Sequence, residues 1–200
     1  MKPYNEYCPV AHALDLVGER WSLLVVRELQ HGPLRYSDLH ERLPRCSTNV
    51  LADRLRGLEA GGVVQKRRLP PPAASTVYEL TEDGEGLRPV LAALARWGAR
   101  TLGPPGATAD LTPGWLARAL QTAAAPSAPD VRIAFHCGDE EASLLQGEVR
   151  PGLSPEAAAT VTCDAAGFYH LLIDGTTTGV AIDGDTVTVE RLISATSVTA

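Results

Sequence analysis

Ser37-Asp-Leu-His-Glu-Arg-Leu-Pro-Arg-Cys-Ser-Thr-Asn-Val-Leu-Ala-Asp-Arg-Leu-Arg-Gly-Leu-Glu-Ala-Gly-Gly62 decides how the N-terminal half of this chain folds. It reads as two short helices joined by a tight turn. Leu39 and Leu43 give the first an apolar side at i, i+4, and Pro44 ends it because proline cannot extend the hydrogen-bond ladder. Ser47 is placed to cap the second helix. Leu51, Leu55 and Leu58 repeat at i, i+4, i+7, one buried face, and Gly61-Gly62 permits a left-handed stop. At about 100° per residue, Asn49, Asp53 and Arg56 point away from that face, flanked by Thr48 and Ala52. A helix, a turn and a second helix opening on small polar residues is the arrangement that enters a DNA major groove. An αα-hairpin that merely packs has the same outline.

Upstream, Pro9 suits the first turn of a helix carrying Val10, Leu14 and Val17 on one face and ending at Gly18. A second helix is expected from Glu19 to Leu29, broken by His31-Gly32-Pro33. Downstream, Val63–Leu69 is a β-rich run ending in Lys66-Arg67-Arg68, and Thr76–Leu80 alternates as a second strand. Pro70–Pro72 lies between them and removes three backbone donors. A hairpin straight after a helix–turn–helix reads as a wing, with its basic arm beside the phosphates; a solvated surface hairpin is the plainer reading. Thr81 is expected to cap a further helix whose stripe of Leu87, Val90, Leu91, Leu94, Trp97 and Leu102 reads as a dimer face or as core.

The net charge of −6 conceals a division. Residues 1–103 carry a net +2 and residues 104–200 a net −8, while residues 31–69 hold eight basic against four acidic side chains. Local positive charge suffices to neutralise phosphates. At 44% hydrophobic and 21% charged, the composition is that of an ordinary soluble domain, and no apolar run reaches the roughly 20 residues of a membrane span. The polar start, Met1-Lys-Pro-Tyr-Asn-Glu-Tyr7, lacks an apolar signal core, so a cytoplasmic protein without membrane contact is expected. Cys8, Cys46, Cys137 and Cys163 have neither CxxC nor zinc-ligand spacing, so no metal, cofactor or disulfide framework is expected.

Several motifs fall in order along residues 7–100: Tyr7-Cys8-Pro9-Val10, Leu14–Trp21, Gly32-Pro33-x-Arg35-Tyr36, Leu51-Ala-Asp-Arg54-Leu55, Gly62-Val63-Val64, Tyr78-x-Leu80-Thr81-x-x-Gly84 and Trp97-Gly98. In these the chain resembles the HxlR-type regulators. The resemblance implies a winged helix–turn–helix that dimerises through its terminal helices and binds palindromic DNA. Many members carry Pro-Lys where this chain has Thr48-Asn49; asparagine can pair bidentately with adenine. Cys8 aligns with a cysteine that in some relatives reacts with oxidants or electrophiles. A helix N-terminus favours negative charge, and Cys8 precedes the first predicted helix; a small buried residue at the dimer interface is the alternative. Cys46 is expected to plug the core.

Gly103–Ala109 reads as a linker. Beyond it, a helix is expected at Trp115–Ala123, a loop at Ala124–Pro129, and strands at Val131–Phe135, Ser143–Val149, Ala157–Cys163 and Val180–Ile182. Asp164 caps a helix through Phe168, Leu171 and Leu172 that ends at Gly175, while Thr186–Ile193 fits strand or helix. Ala159–Asp164, Phe168-Tyr-x-Leu171-Leu172 and Ile182-x-Gly184-Asp185 resemble sterol-carrier-protein-like domains, which often cradle an apolar ligand between sheet and helices. The expected fold class is therefore α+β: a winged helix–turn–helix over 1–103, a Gly/Pro linker over 104–114 and a sterol-carrier-like domain over 115–200.

No phosphate loop, GxSxG or paired carboxylates mark an enzyme. Asp139-Glu140-Glu141 reads as a solvated loop, and His170 as a satisfied histidine. The expected function is that of a homodimeric transcriptional regulator on double-stranded DNA, joined through the N-terminal helix and the Leu87–Leu102 helix. Ser47, Thr48, Asn49, Ala52 and Asp53 would face base edges, and Arg35, Tyr36, Arg56, Lys66, Arg67 and Arg68 would hold phosphates. Arg54, nearer the buried side, is expected to brace the fold through a carboxylate. Cys8 is the candidate redox sensor, and a small apolar ligand in the C-terminal domain the candidate effector. The competing function is a ligand carrier or recruited enzyme whose winged part only dimerises.

Overall fold

Pro9, with no amide hydrogen to lose, opens α1 (Pro9–Val17) in the computed structural model, which describes residues 3–72, 74–106, 109, 111–124 and 130–196. The expected loop at Ala124–Pro129, the wing-tip Ala73 and parts of the linker lie outside the described residues almost entirely. The chain divides into two compact units, Met1–Leu91 and Ala92–Ala200.

In the first unit, α2 (Ser22–Leu29), α3 (Tyr36–Arg42) and α4 (Thr48–Ala60) enclose a core of Val25, Val26, Leu29, Leu39, Leu51, Leu55 and Leu58. Cys46 fills the gap at the α3–α4 turn, and burial there pushes its thiol above the ordinary range. β1 (Val64–Arg68) and β2 (Thr76–Leu80) form the antiparallel hairpin, Lys66 opposite Tyr78 and Arg67 opposite Val77. The helix expected from Glu19 begins instead at Ser22. Trp21 has φ +81°, a left-handed conformation through which a right-handed helix does not run, and the Arg20 guanidinium lies 5.5 Å from its ring centroid. The helix expected from Thr81 is also broken. Thr81 Oγ1 accepts from the Gly84 amide, but that cap opens only α5 (Glu82–Glu85), and α6 (Arg88–Leu102) starts anew.

In the second unit, α7 (Trp115–Ala124) is followed by β3 (Arg132–Cys137), β4 (Glu140–Leu145), β5 (Glu148–Pro151) and β6 (Ala159–Cys163). Then come α8 (Ala165–Tyr169), a π-helical turn at His170–Asp174, β7 (Val180–Gly184) and α9 (Thr186–Thr196). The sheet order is β5-β4-β3-β6-β7, antiparallel except for β3 and β6. The single strand expected over Ser143–Val149 is a hairpin corner, because Gln146 (φ +53°) and Gly147 (φ +85°) turn the chain. Glu140, expected in a solvated loop, starts β4 and caps α7, accepting from Leu116 N at 2.9 Å and from Gly114 N. Asp164 caps α8 through Gly167 N (2.7 Å), and His170 Nδ1 lies 2.7 Å from Asp174 Oδ2. Leu116, Leu120, Phe135, Phe168, Leu171 and Val189 are all buried, so the unit's own side chains fill the space between sheet and helices.

Asp185 resolves the ambiguous last segment as a helix. Its carboxylate accepts from Val187 N at 3.0 Å and from Thr188 Oγ1 at 2.6 Å. The Thr188 hydroxyl is the main reason its carboxyl sits below the ordinary value, with backbone hydrogen bonds adding to it. A depressed carboxyl stabilises the fold above its unfolded value, and that stabilisation is lost as pH falls through the folded value. Asp185→Ala is therefore expected to melt below the wild type at neutral pH. The gap should close in acid once Asp185 is protonated, as a pH series of thermal melts would show; a gap of constant size would mean that the charge is not what caps α9.

Candidate nucleic-acid interface

The start of α4 is built to stay open while the rest of the helix is held. Leu51, Leu55 and Leu58 anchor it to the core, leaving Ser47, Thr48, Asn49, Asp53 and Arg56 exposed and Ala52 half-buried. Ser47 Oγ accepts from Val50 N at 3.4 Å, capping the first turn. The Tyr36 hydroxyl donates to the Thr48 carbonyl at 2.7 Å, fixing the helix start against α3. Tyr36, expected on a phosphate, makes this backbone contact in the unbound chain. Its hydroxyl proton is committed to the backbone, which leaves the oxygen only as an acceptor towards a phosphate that can only accept.

Arg54 Nη1 lies 2.9 Å from Glu19 Oε2 and braces α4 against the turn after α1, as its position nearer the buried side predicts. Glu19 lies outside α2, which starts only at Ser22. Arg56 and Asp53 pair with each other across one turn. Exposed pairs of this kind contribute little stability, about 0–1 kcal/mol. The pairing nevertheless matters for charge: Arg56 offsets a carboxylate that alone would repel phosphate. Arg35, exposed, holds the start of α3 through its amide, which donates to Asp38 Oδ2 at 3.0 Å.

The hairpin divides its three basic residues. Alternation puts Lys66 and Arg68 on one face with Tyr78 and Thr76 opposite, and Arg67 on the other with Val77. Lys66 Nζ is 2.7 Å from Glu59 Oε2, and that hydrogen bond holds its ammonium above the ordinary range, so it stays charged. Arg67 Nε is 2.8 Å from Glu79 Oε2. Arg68 is exposed and has no ion pair among the described residues. The sequence reading missed the two glutamates that temper the wing. The hairpin register was the available signal for Glu79, which faces Gln65 and flanks Arg67. Arg45, in the turn before α4 and exposed, was also missed; its place directly after Pro44 marked it.

Two apolar stripes remain uncovered. On α1 these are Val10 and Leu14, preceded by Tyr7; on α6 they are Val90, Leu94, Trp97 and Leu102, with Trp97 72% exposed. Cys8 is half-buried at the N-cap of α1. No helix among the described residues is long and apolar enough to cross a membrane.

Residues 16–105 match the HxlR-like helix-turn-helix family. The HTH-type transcriptional regulator sll1512 of Synechocystis is 41% identical over 91 residues, 46% of this chain and 67% of that protein. YvaP of Bacillus subtilis, also an HTH-type transcriptional regulator, is 35% identical over 101 residues, 50% of this chain and 94% of that protein. The solved reduced form of the transcriptional regulator YodB from B. subtilis is similar at 33% identity, covering 48% of this chain and 96% of that one, with a TM-score of 0.44.

Proposed function

The chain belongs to the HxlR-like helix-turn-helix family of transcriptional regulators, and from that premise we propose that it reads operator DNA as a homodimer, with α4 in the major groove and the hairpin beside it. The observation that carries this reading is the polar, exposed start of α4, held from beneath by the Tyr36–Thr48 hydrogen bond and the Arg54–Glu19 pair. These two contacts fix the first turn and the middle of α4 from the protein side and leave its polar face open. Ser47, Thr48, Asn49 and Ala52 face the base edges, with Asn49 able to make a bidentate contact to adenine. Arg35, Arg68 and the partly compensated Arg56, Lys66 and Arg67 lie along the phosphates. The stripes on α1 and α6 meet a second copy. Cys8, at the head of α1, is the thiol through which an oxidant or electrophile would reach that interface.

Fluorescence anisotropy with the DNA upstream of the protein's own gene, a scrambled control and a salt series tests the reading. Tight binding to the first DNA alone, with a steep salt slope, is the expected outcome; equal weak binding to both would overturn it. Asn49→Ala should lower the preference for the operator by about 1–3 kcal/mol at one base pair while sparing the scrambled DNA. Arg68→Ala should weaken both DNAs alike and reduce the salt slope by about 1. Lys66→Ala and Arg67→Ala should reduce it less, because Glu59 and Glu79 already balance those charges. Equal slopes for all three variants would contradict that ranking.

A further inference from the structure

Cys137 and Cys163 face each other in register at the ends of β3 and β6, the one parallel strand pair of the sheet. Neighbouring strands lie about 4.8 Å apart, inside the Cα separation of about 4.4–6.8 Å that a disulfide spans. In-register residues project to the same side, and here the two Sγ atoms are 2.8 Å apart. Both are free thiols. Cys137 is buried in the core of the second unit, while Cys163 is half-buried and reaches solvent. The acidic C-terminal unit thus holds one sheltered and one accessible sulfur already in bonding position, and the DNA-binding reading uses neither.

We propose that Cys137 and Cys163 are a peroxide-oxidisable dithiol that closes to an intramolecular disulfide. The sulfurs have unequal roles. The two sulfurs share one hydrogen bond, which together with burial holds the Cys137 thiol above the ordinary range, whereas Cys163 is the sulfur that a peroxide in solvent can reach. Accessible Cys163 is therefore the attacking sulfur, reacting as its thiolate, and sheltered Cys137 the resolving thiol. The Cys163 sulfur attacks one oxygen of a hydroperoxide, forming an S–O bond and breaking the O–O bond. The departing oxygen takes a proton and leaves as water or alcohol, and Cys163 becomes a sulfenic acid. The Cys137 sulfur then attacks the Cys163 sulfur, forming the S–S bond and breaking the S–O bond. The hydroxide released takes the Cys137 proton and leaves as water. Two electrons pass in total from the sulfurs to the peroxide, and a dithiol reductant reverses the change by exchange.

The test uses the full chain, treated with hydrogen peroxide, alkylated and mapped without reduction. Cleavage at glutamate separates the two cysteines, since Glu140, Glu141, Glu148 and Glu156 lie between them. A Cys137–Cys163 cross-linked peptide that dithiothreitol removes is expected, in the wild type and in a C8S/C46A background. Cys137→Ala should yield no cross-link and should instead accumulate a Cys163 sulfenic acid that dimedone traps. The proposal fails if both cysteines remain fully alkylatable after peroxide. It also fails if Cys163 bonds to Cys8, to Cys46 or to a second chain in preference to Cys137. Because peptide mapping of the wild type decides the matter alone, poor folding of a variant does not blur the result, and the outcome is independent of whether the protein binds DNA.

Discussion

In the proposed dimer, Trp97→Glu is expected to leave a monomer and to lower operator affinity on the order of 10²- to 10⁴-fold, the range by which two linked binding modules exceed one. Val90, Leu94 and Trp97 recur at i, i+4 and i+7 on α6, so they form one stripe, and Trp97 is its largest and most exposed member. An indole 72% exposed in the isolated chain contributes little to the fold of one copy, so a carboxylate there leaves that fold intact. At an interface the same carboxylate would be buried without a partner, at a cost of several kcal/mol. Light scattering after size exclusion gives the mass, and anisotropy on full and half operators gives the affinity. Half-operator binding should be unchanged while the full-operator advantage disappears. A dimer of undiminished affinity would place the self-association elsewhere.

The largest effect on stability is expected from Gly84→Ala. A Cβ at Gly84 would stand 2.1 Å from the Val63 carbonyl oxygen and 3.2 Å from Leu80 Cβ. That carbonyl cannot simply retreat, because it accepts from the Thr81 amide at 3.1 Å and from Thr81 Oγ1 at 3.3 Å. Val63 and Leu80 in turn close the core under the hairpin. Overpacking against a fixed wall costs about 1–3 kcal/mol and occasionally more. The upper end applies to a clash with backbone, and about 3 kcal/mol corresponds to a melting shift of roughly 12–24 °C for a unit of this size. Gly57→Ala is the control: it lies inside α4 with open space around its would-be Cβ, and should gain up to about 1 kcal/mol from helix propensity. A wild-type melting curve for Gly84→Ala would show that the Val63–Thr81 contact yields more readily than its hydrogen bonds indicate.

Much of this architecture is legible in the residues where one local signal acts alone. Pro44 and Ser47 bound the turn before α4, and the alternation of Thr76–Leu80 marks β2 to the residue. Reading fails where a longer-range partner decides. Thr186-Val-Thr-Val189 has the β-branched character of a strand, yet the Asp185 cap and the burial of Val189 and Leu192 make it a helix. Nothing local announces the left-handed Trp21 that shortens α2. At the interface, the exposed polar start of α4 follows from helical periodicity, but the commitment of Tyr36 to the Thr48 carbonyl does not. Nor does the tempering of Lys66 by Glu59, seven positions away, because both depend on how separate elements meet.

The outer strands of the five-stranded sheet discourage uncontrolled growth. β5 has only four residues, carries Glu148 and Arg150 in an exposed ion pair and ends in Pro151, which offers no amide to a newcomer. At the opposite margin, β7 bears Asp183 and ends at Gly184, whose left-handed φ of +95° bends the backbone out of strand geometry. A foreign strand docking on either margin would meet fixed charge or find the ladder cut short. The fold thus guards its C-terminal half against fibre-like stacking and domain exchange.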